Sequence, residues 1–498
     1  GKLSKDANID RRVLQTAIAR ELFLIVEMGV FETNPMVYAG ALDVNIYLKR
    51  DFKPLEDRLR DIVTIEDQAP NIMTAAKTNL APALPKPYVE LAIQIANGSA
   101  DFLEKDFAAA LKDVKDEALM SAFRDSNQKA AAALHDYAAW LTKERLPKAT
   151  PDFALGAAKY QKMLAGTELV DLPPEKLLAI GLQRLKEEQQ IFANAAKIID
   201  PKKSPIEVFK QIQNEHPKPS ELIADVAKDL DLIRQWVLDH HIVAIPSDVR
   251  ATVTETPQFD RATTFASMDT PGPFEKKATQ AYYYITPTED SWSEKQKNEW
   301  LTAFNYYTAD VVSIHEAYPG HYVQFLHLND SPATQVEKIF NSYAFVEGWA
   351  HYTEKMMLDE GFGSVPNPTP EQKVRAAKYR MAQADEALLR LCRLCVSIKM
   401  HTQGMSVADG AKFFHENCYY EEKPSLAEAM RGTYDPGYLN YTLGKLQILK
   451  LRDDYKAQEG ANFSLEKFHN EMLNHGAPPI RLLREILLKD QSKWGAVL

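Results

Sequence analysis

The segment Ile314-His-Glu-Ala-Tyr-Pro-Gly-His321 brings two histidines and a glutamate close together in the sequence. Imidazole nitrogens are good ligands for a divalent cation such as Zn²⁺, and a carboxylate beside the cation can accept a proton from an attacking water molecule. Val311 and Val312 precede the segment, which indicates that His315 and Glu316 lie at a largely buried position. The segment therefore predicts a zinc centre in which Glu316 is the general base.

The spacing of the two histidines differs from that of a regular metal-binding helix. In His-Glu-x-x-His the histidines lie four residues apart and share a helix face. His315 and His321 lie six residues apart, which places them about 120° out of register on a straight helix. Pro319 lacks the N–H that would bond to the carbonyl of His315, and Gly320 tolerates an irregular backbone. We therefore predict one long helix over 293–328 with a kink or bulge that swings His321 back toward His315.

A third ligand is expected from the segment Phe345-Val-Glu-Gly-Trp-Ala-His-Tyr-Thr-Glu354. Glu347, His351 and Glu354 recur there at i, i+4 and i+7, which places them on one helix face. Buried carboxylates at this density need a positive partner, and a metal ion provides one. Glu347 is the predicted ligand and His351 the competing one, whereas Glu354 or Asp359 is expected to orient a ligating imidazole.

Further candidates lie in the tyrosine-rich segment Arg431–Lys445, which we expect to be a loop entering a helix that continues through Arg452. A tyrosine hydroxyl near a metal is a suitable donor to an oxyanion. Tyr441 and Tyr438 are the candidates for this role, with simple packing as the equal alternative. A cation of the same region could bind a substrate carboxylate, although such residues are more often solvated surface charges. These cations are Arg431, Lys445 and Arg452.

Three short β-branched or aromatic runs bounded by prolines predict a small sheet just before the histidine segment. They are Ile242–Ile245, Arg250–Thr256 and Ala281–Thr286. An extended substrate could add to the edge of the third strand, with Tyr284 as a substrate contact.

The rest of the chain has the three- and four-residue apolar spacing of helices, and only 20 of its 498 residues are glycine. The sequence therefore predicts a large, mainly α fold with a small β-sheet near the active site. We expect a helical body over 1–240 and a catalytic half over 241–498, packed together as one unit. The net charge of -10 without a basic stripe disfavours nucleic-acid binding. No apolar run reaches the ~18 residues of a transmembrane helix.

Several of these motifs together resemble a bacterial family of unknown function, domain-of-unknown-function family 885, whose members are often labelled putative lipoproteins. The resemblance covers most of the chain. It rests on His315-Glu316 with Pro319-Gly320-His321 and Gln324, on Glu347-Gly-Trp-Ala350 with Tyr352 and Glu354, and on Tyr441-x-Leu-Gly-Lys445 through Leu451-Arg452.

The family in turn is similar to the helical gluzincin-type zinc peptidases, which include thermostable carboxypeptidases and oligopeptidases. This resemblance implies a large helical metallopeptidase-like fold, in which His315, His321 and Glu347 are zinc ligands and Glu316 is the general base. Family members usually carry further helical sequence before the region that matches Leu3, so a truncated N-terminus or a removed export signal is expected. The resemblance also implies a periplasmic or other extracytoplasmic location, with a cytoplasmic one as the alternative.

The function expected from these observations is hydrolysis of short peptides by a zinc peptidase of carboxypeptidase or oligopeptidase type. Two alternatives stay open. The same residues would serve a zinc hydrolase of a non-peptide amide or ester, and a helical binding protein could carry a structural or vestigial metal site. Three protein ligands with an exchangeable water favour an enzyme, whereas a fourth protein ligand such as His351 favours a structural site.

Overall fold

The computed structural model of the chain describes residues 3–107, 111, 114–257, 261 and 264–498. Its described part is dominated by helices and contains one small three-stranded sheet, which confirms the predicted mainly α class. The helices before residue 240 are Lys5–Leu22, Val30–Thr33, Met36–Ala39, Ile46–Lys49, Leu55–Glu66, Ala69–Asn79, Lys86–Phe102, Glu117–Trp140, Ala157–Thr167, Pro174–Ile199, Pro205–Gln213 and Leu222–Asp239. Those after the sheet are Glu294–Leu301, Tyr306–Glu316, His321–Asp330, Gln335–Ile339, Tyr343–Asp359, Pro370–Gln403, Val407–Cys418, Glu422–Tyr434, Asn440–Glu459, Leu465–Leu473 and Ile480–Leu487.

The helix Pro370–Gln403 illustrates how the sequence sets helix ends. Thr369 accepts a hydrogen bond from the N–H of Gln372, and the Gln372 side chain accepts one from the N–H of Thr369 in return. This capping box satisfies N–H groups that the first helical turn leaves free. Gly404 ends the helix at φ +72°, a left-handed conformation that glycine adopts without steric cost.

The helices share several apolar cores, and these cross the boundary between 1–240 and 241–498. Residues between Tyr38 and Leu141 form a core of their own. The helix Pro174–Ile199, in contrast, packs against the helix Pro370–Gln403. The helix Leu222–Asp239 shares a core with the sheet and with the helices that carry the histidine segment. The first half thus contributes directly to the support of the candidate site.

The sheet consists of β1 (Ala251–Glu255), β2 (Ala266–Asp269) and β3 (Ala281–Ile285) in the order β1-β3-β2. β3 pairs in parallel with β1 and antiparallel with β2. Because both edges of β3 are already paired, the prediction that a substrate adds to the edge of this strand is wrong. The short β2 has no β-branched residue, which explains why the sequence did not indicate it.

The predicted strand Ile242–Ile245 is also wrong, since this segment lies outside the sheet. Its backbone is hydrogen-bonded to side chains instead. Ala244 N–H donates to Asn470 Oδ1 (2.9 Å), and the carbonyl of Ile242 lies 2.7 Å from His469 Nδ1. Buried β-branched residues at these positions therefore reflect core packing, which has the same residue preferences as a strand.

None of the helices in the described ranges combines the length and the apolar character that a bilayer-crossing segment needs.

Glu168 is a buried carboxyl group beneath the start of the helix Tyr343–Asp359. It accepts a hydrogen bond from Ser342 Oγ, and the N–H of Ala344 donates to its other oxygen at 3.4 Å. Burial raises the pKa of Glu168 to about 7, although these two donors oppose the shift. The protonated form is thus favoured in the folded protein below about pH 7.

We predict that Glu168→Gln changes how stability depends on pH. Between pH 4.5 and about 7 the unfolded carboxyl is ionised while the folded one keeps its proton, so the free energy of unfolding of the wild type falls as pH rises through this window. The amide has no proton to lose. In urea denaturation, the free energy of unfolding of the variant should rise relative to that of the wild type across this window, by up to about 3 kcal/mol. The difference should become constant above pH 7. A difference that stays constant from pH 4.5 to 7 would contradict the assignment.

Candidate metal centre

The histidine segment forms a sharp turn between two helices rather than a kink within one. Glu294–Leu301, Tyr306–Glu316 and His321–Asp330 are separate helices, so the single helix predicted over 293–328 is wrong. We call the second of them the His315 helix and the third the His321 helix. The turn has the expected effect nevertheless, because the two imidazole rings lie 4.9 Å apart between centroids.

Gly320 makes this turn possible. Its N–H donates to the carbonyl of Ile314 (2.9 Å), which holds the turn against the end of the His315 helix. A Cβ atom at position 320 would overlap with the carbonyl oxygen of His315. Glycine is therefore required here by the close approach of two backbone segments.

The third member of the cluster is Glu347, on the helix Tyr343–Asp359, which we call the Glu347 helix. One carboxylate oxygen lies 3.7 Å from His315 Nε2 and 3.6 Å from His321 Nε2. The three ligand atoms all lie within 4.8 Å of one another. Tetrahedral ligands at ~2.1 Å from a zinc ion are about 3.4 Å apart, so the arrangement has the dimensions of a metal site.

Glu354 lies beside the cluster, about two turns further along the Glu347 helix. Its two oxygens lie 2.7 Å from His315 Nδ1 and 3.0 Å from His351 Nδ1. A carboxylate only accepts hydrogen bonds, so each neutral imidazole donates through Nδ1–H. His315 Nε2 is thereby left free to face the cluster, as in carboxylate–histidine–metal arrangements. Asp359, the alternative for this role, instead pairs with Lys355 and lies outside the cluster.

His351, the competing ligand, is turned away from the cluster. Its Nε2 lies 3.3 Å from Lys445 Nζ, which can only donate. Burial, with Lys445 nearby, lowers the pKa of His351 to about 3. The imidazole is therefore neutral, held between a lysine donor and the Glu354 acceptor.

The pKa values within the cluster indicate a demand for positive charge. Burial alone would lower the pKa of His315, but Glu347 and Glu354 outweigh this effect and raise it to about 9. Burial would likewise raise the pKa of Glu347, yet His315 and His321 hold it well below its usual range. A proton on His315 or a bound cation satisfies this demand. The nitrogen and oxygen donors present suit a borderline cation such as Zn²⁺.

Glu316, the predicted base, is the last residue of the His315 helix and is only partly buried. Its charge acts on Tyr283 of β3. Burial and then the charge of Glu316 raise the pKa of the Tyr283 phenol. The Tyr283 hydroxyl lies 3.2 Å from Ser313 Oγ on the same helix. Tyr284, the predicted substrate contact, points to the opposite face of the sheet, where it stacks on Tyr282.

The charge of Glu347 also acts on Tyr441. Burial and then this charge raise the pKa of the Tyr441 phenol. It is on the helix Asn440–Glu459, which we call the Tyr441 helix, and its ring is 5.9 Å from that of Tyr343. Arg431 donates to the Tyr343 hydroxyl (3.2 Å) and pairs with Asp435. Tyr343 was missed by sequence reasoning, although its position four residues before Glu347 places both on one helix face.

The segment 431–445 is not one loop. It contains the end of the helix Glu422–Tyr434, a short 3₁₀ turn over Pro436–Leu439 and the start of the Tyr441 helix. The remaining candidates therefore lie in different surroundings. Tyr438 is fully buried in an apolar core and packs closely on Gly432. Arg452 donates to the hydroxyl of Tyr352 (3.2 Å). Neither Tyr438 nor Arg452 belongs to the cluster of His315, His321 and Glu347. Lys445 reaches the cluster only indirectly, through His351.

Two glycines fix the Tyr441 helix against the Glu347 helix. Gly348 and Gly444 face each other, and a Cβ atom on Gly444 would overlap with the carbonyl oxygen of Ala344. The backbones therefore touch at the level of Glu347, as small residues allow where helices cross closely. This contact positions Tyr441 beside the cluster.

Comparison with known proteins gives a family and a fold. A model of the family described as bacterial protein of unknown function (DUF885) matches residues 1–487. A structure described as a putative lipoprotein of unknown function from Shewanella oneidensis aligns with a TM-score of 0.79 at 24% identity, over 98% of this chain and 88% of that one. A putative lipoprotein from Colwellia psychrerythraea aligns with a TM-score of 0.71 at 19% identity, over 89% and 77% of the two chains. None of the curated proteins compared with the chain matches it.

We predict that Gly320→Ala destabilises the protein, because the added methyl group overlaps with the backbone of His315. The expected loss in the free energy of unfolding is about 1–3 kcal/mol, measured by urea denaturation. Gly98→Ala is the matched control, since Gly98 lies in the helix Lys86–Phe102 with no atom within 4 Å of its added Cβ. The free energy of unfolding of this control should increase by about 0.5–1 kcal/mol, because alanine is favoured over glycine within a helix. Equal effects of the two substitutions would refute the steric role of Gly320.

Proposed function

The chain belongs to the DUF885 family of bacterial proteins of unknown function, and we propose that it is a zinc-dependent peptidase that hydrolyses short peptides. The observation that carries this proposal is the convergence of two imidazole nitrogens and one carboxylate oxygen within 4.8 Å. Two His and one Glu are a ligand set of catalytic zinc sites, which leave a coordination position open.

The proposed ligands are His315 Nε2, His321 Nε2 and Glu347, with Glu354 orienting His315. A bound zinc ion would supply Lewis-acid polarisation of a scissile carbonyl group. Glu354 stays ionised for its role, because Arg390 and the two histidines outweigh the burial that would raise its pKa. Such outer contacts fix the direction of the ligand lone pair and strengthen metal binding.

Glu316 is the proposed general base. Its support is that Glu316 directly follows the proposed ligand His315, ends the His315 helix at the turn to His321 and is not itself a member of the three-residue cluster. In this role Glu316 accepts a proton from the attacking water and returns it to the leaving amine.

Tyr441 is the proposed donor to the developing oxyanion. Its hydroxyl stays protonated, since burial and the Glu347 charge raise its pKa, and a donor aimed at a developing charge lowers the reaction barrier. Arg431, which holds Tyr343 beside Tyr441, supports this side of the site.

The position of His351 favours an enzyme over a structural metal site. A closed structural site would need a fourth protein ligand. The groups that surround His351, Glu354 on one side and Lys445 on the other, occupy both of its nitrogens.

An extracytoplasmic location is part of the proposal. Its support is that two structures of this fold are described as putative lipoproteins. Fractionation of the native host cell, with detection of the protein by antibody, tests it.

The first prediction for this function concerns turnover. Purified protein incubated with a diverse pool of short peptides should shorten some of them, as seen by mass spectrometry, and a chelator should stop the reaction. Chelator-insensitive cleavage, or no cleavage by a sample containing stoichiometric zinc, would contradict the proposal. Cleavage of only ester or non-peptide amide probes would assign the site to that class of hydrolase.

Variants refine the same assay. Glu316→Gln should retain zinc and lose turnover by a factor of about 10² or more, because the base is missing. Tyr441→Phe should lower turnover at unchanged zinc content. Tyr438→Phe is the matched control and should leave turnover unchanged, since that buried hydroxyl has no partner among the described residues. Equal turnover in the two tyrosine variants would remove Tyr441 from the mechanism.

A separate prediction concerns metal affinity. Glu354→Gln should weaken zinc binding by about 10–100-fold, because an amide orients and polarises His315 less well than a carboxylate. Asp359→Asn lies on the same helix but pairs with Lys355 and Arg380, so it should leave zinc affinity unchanged. Competition with a chromophoric chelator measures both. Equal affinities in the two variants would contradict the role of Glu354.

A further inference from the structure

A cavity separate from the three-residue cluster borders the Glu347 helix at His351 and Lys355, beyond Glu347 along the helix. Its volume is about 470 Å³, and its walls come mainly from the helix Pro174–Ile199 and the Tyr441 helix. Cavities that bind small molecules have volumes of about 300–1,000 Å³. The cavity is therefore large enough for a small ligand.

Three polar residues of this cavity are almost completely buried. Glu188 is 8% exposed, Lys445 is 6% exposed and Thr442 is 2% exposed. Glu188 Oε1 and Thr442 Oγ1 have no hydrogen-bond partner among the residues that the structure describes. Lys445 Nζ contacts His351 Nε2 and, within the same residues, is part of no ion pair. Buried polar groups are normally satisfied, because leaving them unpaired costs free energy.

Two ion pairs involve the more exposed residues that line the cavity. Arg184 pairs with Glu187 at 2.7 Å, and Lys355 pairs with Asp359 at 2.6 Å. Burial raises the pKa of Glu188 and lowers the pKa of Lys445, and the charge of each group opposes the shift of the other. Each of the two groups favours a charged partner of opposite sign.

The rest of the interior is apolar. Its side chains are aliphatic and come from three helices: Ile180, Ile191, Leu391, Leu446 and Leu449. A ligand that complements Lys445, Glu188 and the aliphatic wall has one anionic group, one cationic group and a branched aliphatic part.

We propose that this cavity binds a free α-amino acid with an aliphatic side chain. The ligand carboxylate pairs with Lys445 and accepts a hydrogen bond from Thr442, and its ammonium group pairs with Glu188. The side chain packs on the aliphatic wall. The carboxylate-binding role expected for Lys445 is thus assigned to a site separate from the metal cluster.

The site is also connected to the proposed metal ligands. Lys445 contacts His351, which donates to Glu354, which in turn accepts from His315. A ligand on Lys445 is therefore joined to the metal cluster by a continuous chain of hydrogen bonds. Binding itself does not depend on the proposed peptidase function, and the experiment below is independent of metal and of turnover.

The experiment is isothermal titration calorimetry of the full chain, treated with chelator, using L-leucine as the probe. Leucine should bind, and two analogues should bind at least tenfold more weakly: 4-methylpentanoate, which lacks the amine, and 3-methylbutylamine, which lacks the carboxylate. No heat of binding with leucine at millimolar concentration would overturn the proposal. So would equal binding of the three compounds.

Variants locate the binding. Glu188→Gln and Thr442→Val should each weaken leucine binding at least tenfold, while thermal unfolding verifies that they fold. Glu347→Gln changes the metal cluster and should bind leucine like the wild type. Leucine binding that is lost in Glu347→Gln but retained in Glu188→Gln would place the amino acid at the metal cluster and overturn the proposal.

Discussion

The close contact between Gly320 and the carbonyl of His315 is the constraint on which the candidate centre depends. It allows the chain to end one helix and begin another within a few residues, so that two histidines on different helices share one volume. A side chain at position 320 would separate the helices and widen the distance between the imidazoles. The chemistry of the centre thus rests on a position that contributes no functional group itself.

Charge balance is the second requirement, because the cluster and its support are buried. Two carboxylates, Glu347 and Glu354, lie within reach of His315. Arg390 balances part of this charge through Glu354 at 3.6 Å, and the remainder falls on the imidazoles. In a low-dielectric interior such a group of charges is stable only when every member has a partner.

The three residues that the sequence indicated as ligands lie close together in the structure, whereas the orientation of other side chains was predicted poorly. The apolar spacing continues through the turn before His321, so local periodicity indicated one helix over 293–328 where the structure has three. Alternation along β3 shows that Tyr283 and Tyr284 face opposite sides, but only the packing of the sheet on the His315 helix decides which side meets the site. Tyr438 and Tyr441 differ in the same way, since long-range packing sends one into the core and the other to the cluster.

The contact between Gly348 and Gly444 joins parts of the chain that are distant in sequence, and this affects the order of folding. A growing chain that already contains both histidines and Glu347 still lacks the helix that covers this face of the Glu347 helix. Contacts of such high sequence separation form late, because the chain between them loses conformational entropy before the contact stabilises it. We therefore expect His315, His321 and Glu347 to come together in a growing chain before the helix that carries Tyr441 docks beside them.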